Sequence, residues 1–166
     1  MKNDMINKYL TIADDVILGE DVQLNGYANL YGCELKSGVR VGPFVEIQRN
    51  VTVGKNVKIQ SHTFICSGVE IGDFAFIGHG VMFTNDRFPR SANAIGELQG
   101  SEDWACEPTY VGESASIGSN ATILCGITIG KDAMIGAGSV VTKSVPNAAV
   151  VAGNPAKILR YIESSA

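Results

Sequence analysis

The chain has 166 residues, 45% of them apolar and 18% charged, with a formal net charge of -4. That balance excludes a disordered chain, and the acidic excess argues against the basic stripe that a nucleic-acid surface needs. No apolar run is long enough to cross a bilayer, and 19 glycines without a three-residue period exclude collagen and imply many tight turns.

The opening stretch MKNDMINKYLTIADD has no apolar signal-peptide core, so a cytoplasmic location is expected. From Ile12 an aliphatic residue then recurs at every sixth position, through Leu18, Leu24 and Leu30. After a slip, in which Leu35 is the natural five-residue compromise, the step resumes at Val41. It runs through Ile47, Val53, Ile59, Ile65, Ile71 and Ile77 to Phe83. A third series runs from Val111 through Ile117, Ile123, Ile129 and Ile135 to Val141. Helices repeat their apolar residues at three and four, strands at two, so neither template fits. Two positions before most of these residues the side chain is again small or β-branched, as at Val45, Val57, Ala75, Ala121 and Ser139. Two inward residues flanking one outward residue make a very short strand, and the following residues, often led by glycine, turn a corner. Three such hexads close a triangular coil of 18 residues, and stacked coils form a solenoid. The expected fold is therefore all-β: a parallel β-helix of hexapeptide repeats spanning 1–166 as one domain.

Two segments break the pattern. Between Phe83 and Val111 it vanishes over TNDRFPRSANAIGELQGSEDWACEPTY, an inserted loop of about 84–110, and a long irregular segment in a compact fold is commonly functional. Trp104 and Phe88 are the residues expected to pin this loop through buried area. At the end, VPNAAVVAGNPAKILRYIESSA reads as a last strand, a Gly-Asn-Pro break and a short helix over about 156–163, capping the open edge of the solenoid. Cys33, Cys66, Cys106 and Cys125 are scattered without C-x-x-C spacing, so they read as reduced structural residues and no metal is expected.

Stacking by 18 residues places Arg49, Ser67 and Asn85 in one column and Gln48, Cys66 and Thr84 in the next. Pro43, Ser61 and His79 form another column, beside Phe44, His62 and Gly80. The loop thus leaves directly above a polar column.

The hexad pattern, together with GAGSVVTKSVP and VVAGNPAK, resembles hexapeptide acyltransferases that use acetyl-CoA. The stretches NLYGCELKSGVRVGPFVEIQ, KIQSHTFICSGVEIG and VMFTNDRFPRS narrow the resemblance. They are similar to bacterial N-acetyltransferases acting on the 3-amino group of nucleotide-linked amino sugars, of the dTDP-3-amino-3,6-dideoxyhexose or UDP-3-amino-glucuronate type. The resemblance implies a left-handed coil, acetyl-CoA as co-substrate, and a homotrimer with sites between subunits. It also implies direct attack of the amine on the thioester, with most of the rate coming from alignment of the two reactants.

The residues expected to carry this chemistry follow. Asn85 matches the family's active-site asparagine, and its side-chain carbonyl would aim the amine. His79 and His62 are candidate bases or contacts. Glu46, Gln48 and Asp86 are candidates for sugar hydroxyls, and Arg87 and Arg90 for the diphosphate. On the later coils, Gly136, Ala137 and Gly138 would let the pantetheine arm lie close and offer an N–H to the oxyanion. Lys143, Lys157 and Arg160 would meet the phosphates of acetyl-CoA. Related O-acetyltransferases carry a base histidine in or near the inserted loop, and both histidines here precede it. Hydroxyl acetylation with a histidine base is nonetheless an alternative. A non-catalytic scaffold is another; a zinc γ-carbonic anhydrase would need three histidines, against the 2 present.

Overall fold

A computed structural model describes residues 9–163. Nearly every hexad becomes a two-residue strand whose second residue is buried, as in Glu46–Ile47, Thr52–Val53 and Lys58–Ile59. The strands stack in parallel into three sheets of 7, 6 and 8 members. This is a parallel β-solenoid, consistent with the left-handed β-helix that the repeat predicts. The first face begins at Thr11–Ile12, the second at Ile17–Leu18 and the third at Gln23–Leu24.

The core is a ladder of apolar, mostly aliphatic residues, each above its counterpart one coil below. On the first face Leu30, Ile47, Ile65, Phe83, Ile123 and Val141 are almost wholly buried. Strands with both inner positions apolar have nowhere else to hide them, so the register is fixed coil by coil. The slip before Val41 is taken up as expected by Glu34–Leu35, and the pairing Leu30↔Ile47 makes that coil 17 residues long rather than 18. At the start of the solenoid the ladder opens: Ile12 and Leu18 remain 40% and 42% exposed.

Each coil turns its corners through residues in the left-handed region. Asn, Asp or Gly fill many of these places, including Asn50, Asn56, Asp132 and Gly138. At the corner between the third and first faces, however, Tyr27, Phe44 and His62 hold φ values of 65°, 59° and 63°. Large side chains pay about 1–2 kcal/mol for that conformation. Their rings, with Tyr9, stack into a ladder with centroid separations of 4.8, 4.8 and 4.9 Å, one ring per coil.

The C-terminal segment corrects the sequence reading. Ala156–Tyr161 is a strand, not a helix, pairing antiparallel with Ala149–Gly153. Ala, Lys, Leu and Arg favour a helix locally, but the open edge of Ala149–Gly153 offers a complete set of backbone partners within a hairpin's reach. The edge is covered as expected, by different means.

Candidate active site

The inserted loop leaves at the corner between the first and second faces, immediately after Met82–Phe83. Its two ends are tied together where Glu107 N–H donates to the Asn85 carbonyl at 3.0 Å. Arg87 holds the stem further. Its guanidinium meets the Glu107 carboxylate at 2.8 Å and donates to the Cys125 carbonyl at 3.1 Å. Arg87 donating to Glu107 pulls that carboxylate below its usual range. Gly126 makes room for the pair, since a Cβ there would lie 2.5 Å from Glu107 Oε2. Cys106 Sγ adds a contact to the Ser67 carbonyl at 3.3 Å. Phe88 is 75% exposed and pins nothing, contrary to expectation; ionic and backbone contacts hold the stem instead.

Beneath the stem a connected polar chain takes Ser67 and Asn85 from one expected column and Gln48 from the other, and adds Glu46 and Tyr31; Arg49 takes no part in it. Tyr31 Oη donates to Glu46 Oε1 at 2.9 Å, and Gln48 Nε2 donates to the same oxygen at 3.1 Å. Gln48 Oε1 accepts from the Ser67 N–H at 3.2 Å, and Asn85 Nδ2 donates to the Ser67 carbonyl at 3.4 Å. With its amide nitrogen turned down onto Ser67, Asn85 presents Oδ1 as an acceptor from a half-buried position. Tyr31 was not foreseen. Burial, then its bond to Glu46, raises the phenol pKa, so it stays a donor. Asp86 is spent locally, its Oδ1 accepting from Phe88 N–H at 2.8 Å, and the exposed Arg90 contacts only the Pro89 carbonyl at 3.3 Å.

The histidines lie at the opposite edge of the first face. Six residues of mostly extended chain separate His79 from Asn85, a span on the order of 15–20 Å. One chain therefore brings Glu46, Gln48 and Asn85 together but leaves His62 and His79 apart from them. His79 Nδ1 sits 2.9 Å from Ser61 Oγ, a contact that engages one ring nitrogen; His62 instead stacks on Phe44.

Following the pairings Phe76↔Ser116↔Met134, the His79 column continues through Ser119 to Ala137. His79 thus stands two coils, about 10 Å, below the expected cofactor corner. Of the three N–H groups there, Gly136 donates to the Val151 carbonyl and Gly138 to the Ser119 carbonyl, each at 2.8 Å. Of these three groups, the Ala137 N–H is the one without an acceptor among the described residues, as is the Ser119 N–H at the same place one coil below. The glycines differ too. A Cβ on Gly136 would strike Ala152 at 2.8 Å, whereas one on Gly138 would meet nothing within 4 Å. Stacking explains the first; open outer surface surrounds the second. Lys157 pairs with Ala152 and Arg160 with Val150, so both cations reach the outside of the third face. Lys143 instead tops the Asn85 column at the loop corner.

Cys33, Cys66 and Cys125 are buried free thiols, and burial pushes Cys33 up to about 11 and Cys66 up to about 12. Cys106 is exposed. Among the described residues no group of three His, Cys, Asp or Glu side chains is placed to hold a metal ion.

A hexad solenoid with one inserted loop over a polar corner defines a class, and the comparisons give it a family. The model for bacterial transferase hexapeptide (six repeats) matches residues 32–67, 50–85 and 108–143, more than half of the chain. The chain belongs to that family. A dTDP-3-amino-3,6-dideoxy-α-D-galactopyranose 3-N-acetyltransferase from Aneurinibacillus thermoaerophilus is 52% identical over 54 residues, 32% of this chain and 28% of the relative. The chain spans under a third of the length of the curated relatives that head its matches. In structure it is similar to the N-acyltransferase AntD from Bacillus cereus, solved with dTDP and coenzyme A. That likeness has a TM-score of 0.77 at 17% identity, covering 99% of this chain and 90% of the other. A galactoside acetyltransferase solved with coenzyme A gives a TM-score of 0.68 at 27% identity, covering 82% and 66%.

Proposed function

We propose that this chain transfers an acetyl group from acetyl-CoA to the 3-amino group of a nucleotide-linked amino deoxysugar. The observation that carries the reading is the set amide of Asn85. Its Nδ2 is committed to the Ser67 carbonyl, so Oδ1 faces outward to accept a hydrogen bond from the amine and aim its lone pair. The nitrogen attacks the thioester carbonyl, the N–C bond forms, the C–S bond breaks, and the proton lost by nitrogen ends on the sulfur of CoA. The Ala137 N–H is the donor left over for the oxyanion. The matched relative whose name gives a dTDP-linked 3-amino sugar as substrate supports the substrate class, and the fold this chain shares with a protein solved with dTDP and coenzyme A is compatible with it.

Because Asn85 and the Ala137–Gly138 corner lie at opposite edges of one face, the site is completed between copies, as in a cyclic homotrimer. Asn85 comes from one copy, His79 and the cofactor corner from its neighbour. The loop supports this: Phe88, Ile95 and Leu98 are 75%, 79% and 85% exposed, large apolar groups that a neighbour would cover.

A second reading, acetylation of a sugar hydroxyl, is favoured by the Ser61–His79 contact, which suits a base with one ring nitrogen engaged. Free-thiol release from acetyl-CoA with matched amino and hydroxy nucleotide sugars separates the two. Release with the amino sugar only supports the first reading. In that assay Asn85→Ala should lower kcat by about 100-fold, the scale of one lost transition-state contact. Turnover near the parental rate would place the reaction centre elsewhere.

A further inference from the structure

Arg87 is occupied at the loop stem, which leaves the exposed Arg90 of the loop and cations elsewhere on the solenoid for the diphosphate of a nucleotide sugar. On the outside of the third face Gln23, Arg40 and Lys58 stand in register on adjacent strands, through the pairings Gln23↔Arg40 and Arg40↔Lys58. Two cations set directly beside each other at one strand spacing repel. Among the described residues neither has an ion-pair partner. Both are exposed, and both line two concavities. One lies toward the second face, beside Asp21 and Asn56; the other lies toward the aromatic corner, beside Asn25, Gly42 and Gln60. Those last three each sit two residues before the ring of their own coil: Tyr27, Phe44 and His62. The rings are themselves anomalous. They occupy left-handed corners where Asn120 and Gly138 serve the same turn in later coils, and Tyr27 and Phe44 stay 53% and 50% exposed. The rings stack on one another yet keep their edges exposed at a strained corner, beside two cations that no carboxylate among the described residues neutralises.

We propose that this corner is a nucleoside-diphosphate subsite: Arg40 and Lys58 take the diphosphate, and Tyr27 and Phe44 flank the nucleoside. Guanidinium and ammonium groups suit phosphate oxygens, and a base packs favourably against ring edges. The proposal rests on the acetyl-transfer reading and gives it a direction. From His79 the nucleotide runs down its own corner, away from the Ala137–Gly138 corner above. CoA also carries a diphosphate, but its expected cations Lys157 and Arg160 lie at the far end of the same face, and the subsite is assigned to the nucleotide sugar.

The test is calorimetric titration of the full chain with dTDP, inorganic pyrophosphate and CoA as probes. The variants are Arg40→Gln/Lys58→Gln and Phe44→Asn, the latter chosen because Asn120 adopts the same corner conformation. Saturable dTDP binding is expected, weakened about 100-fold in the double variant with CoA affinity unchanged. Phe44→Asn should weaken dTDP about tenfold and leave pyrophosphate unchanged. Failure of the parent to bind dTDP overturns the subsite, as does an unchanged dTDP affinity in the double variant or an equal loss of CoA binding. A Phe44→Asn chain with altered assembly mass but parental dTDP affinity makes the rings an interface between copies and also overturns it. If the parent acetylates an amino sugar and the double variant does so with the same KM, the subsite falls while the reaction stands. If dTDP binding is lost in the variant but the parent acetylates nothing, the subsite stands without the reaction.

Discussion

Thr109 is the one inner side chain among the described residues whose buried polar atom has no partner: its Oγ1 is sealed in the core without a hydrogen bond. The other inner hydroxyls are satisfied, Thr63 donating to the Gly78 carbonyl at 2.9 Å and Ser139 accepting from Gly153 N–H at 3.1 Å. Val51 and Val69 occupy the equivalent place in the two coils below. Thr109→Val should therefore stabilise the fold by about 1–2 kcal/mol, the cost of an unpaired buried hydroxyl, and raise Tm by about 2–8 °C on thermal unfolding. A lowered Tm would mean the hydroxyl is satisfied. The same scale shows where the sequence was hard to read. The place of Asn85 above Ser67 was legible because it follows its column at a strict interval, while the role expected of it came from the family resemblance. Tyr31 lies under Gln48, and Tyr27 under Phe44, but across the coil shortened to 17 residues. Stepping back by 18 lands on Leu30 and Gly26, so one missing residue hid both aromatics.

Among the elements, the loop stem is the joint that sets Asn85, and its one ion pair, Arg87–Glu107, joins the backbone contacts that tie it. Arg87 donating to Glu107 lowers the carboxylate pKa. The sign follows: the contribution is complete above the ordinary glutamate value of about 4.3 and fades as pH falls through the lowered folded value. Trp104, the single tryptophan, lies in the loop and reports on it. Its accessibility to acrylamide quenching should rise below about pH 4 in the parent and be high and flat across that range in Arg87→Gln. A parental profile in the variant would mean other contacts hold the stem. The hexad strands were legible because a two-residue strand is fixed by its own inward side chains. The loop contacts and the C-terminal hairpin were not, because Arg87–Glu107 spans 20 residues and Ala156–Tyr161 takes its form from the edge it covers.

For the whole molecule, the decisive geometry is that Asn85 and Gly138 stand at opposite edges of one face. A site using both must draw them from two copies, and subunit mixing tests this. Asn85→Ala removes the amine contact. Gly138→Phe fills the open outer corner, where a Cβ meets nothing within 4 Å, and Phe44 shows that a large side chain holds the same turn. Each variant alone should be close to inactive and fully folded. When the two are unfolded together in equal amounts and reassembled, each interface in a cyclic trimer draws its two edges independently. About one quarter of the sites then combine an intact Asn85 edge with an intact Gly138 edge. Acetyl transfer should recover to about a quarter of the parental rate, fall again when one variant is in large excess, and be absent when the same chains are mixed without unfolding. If the mixture stays as inactive as its parts, both residues serve the same copy, and the cleft between copies is not where the thioester meets the amine.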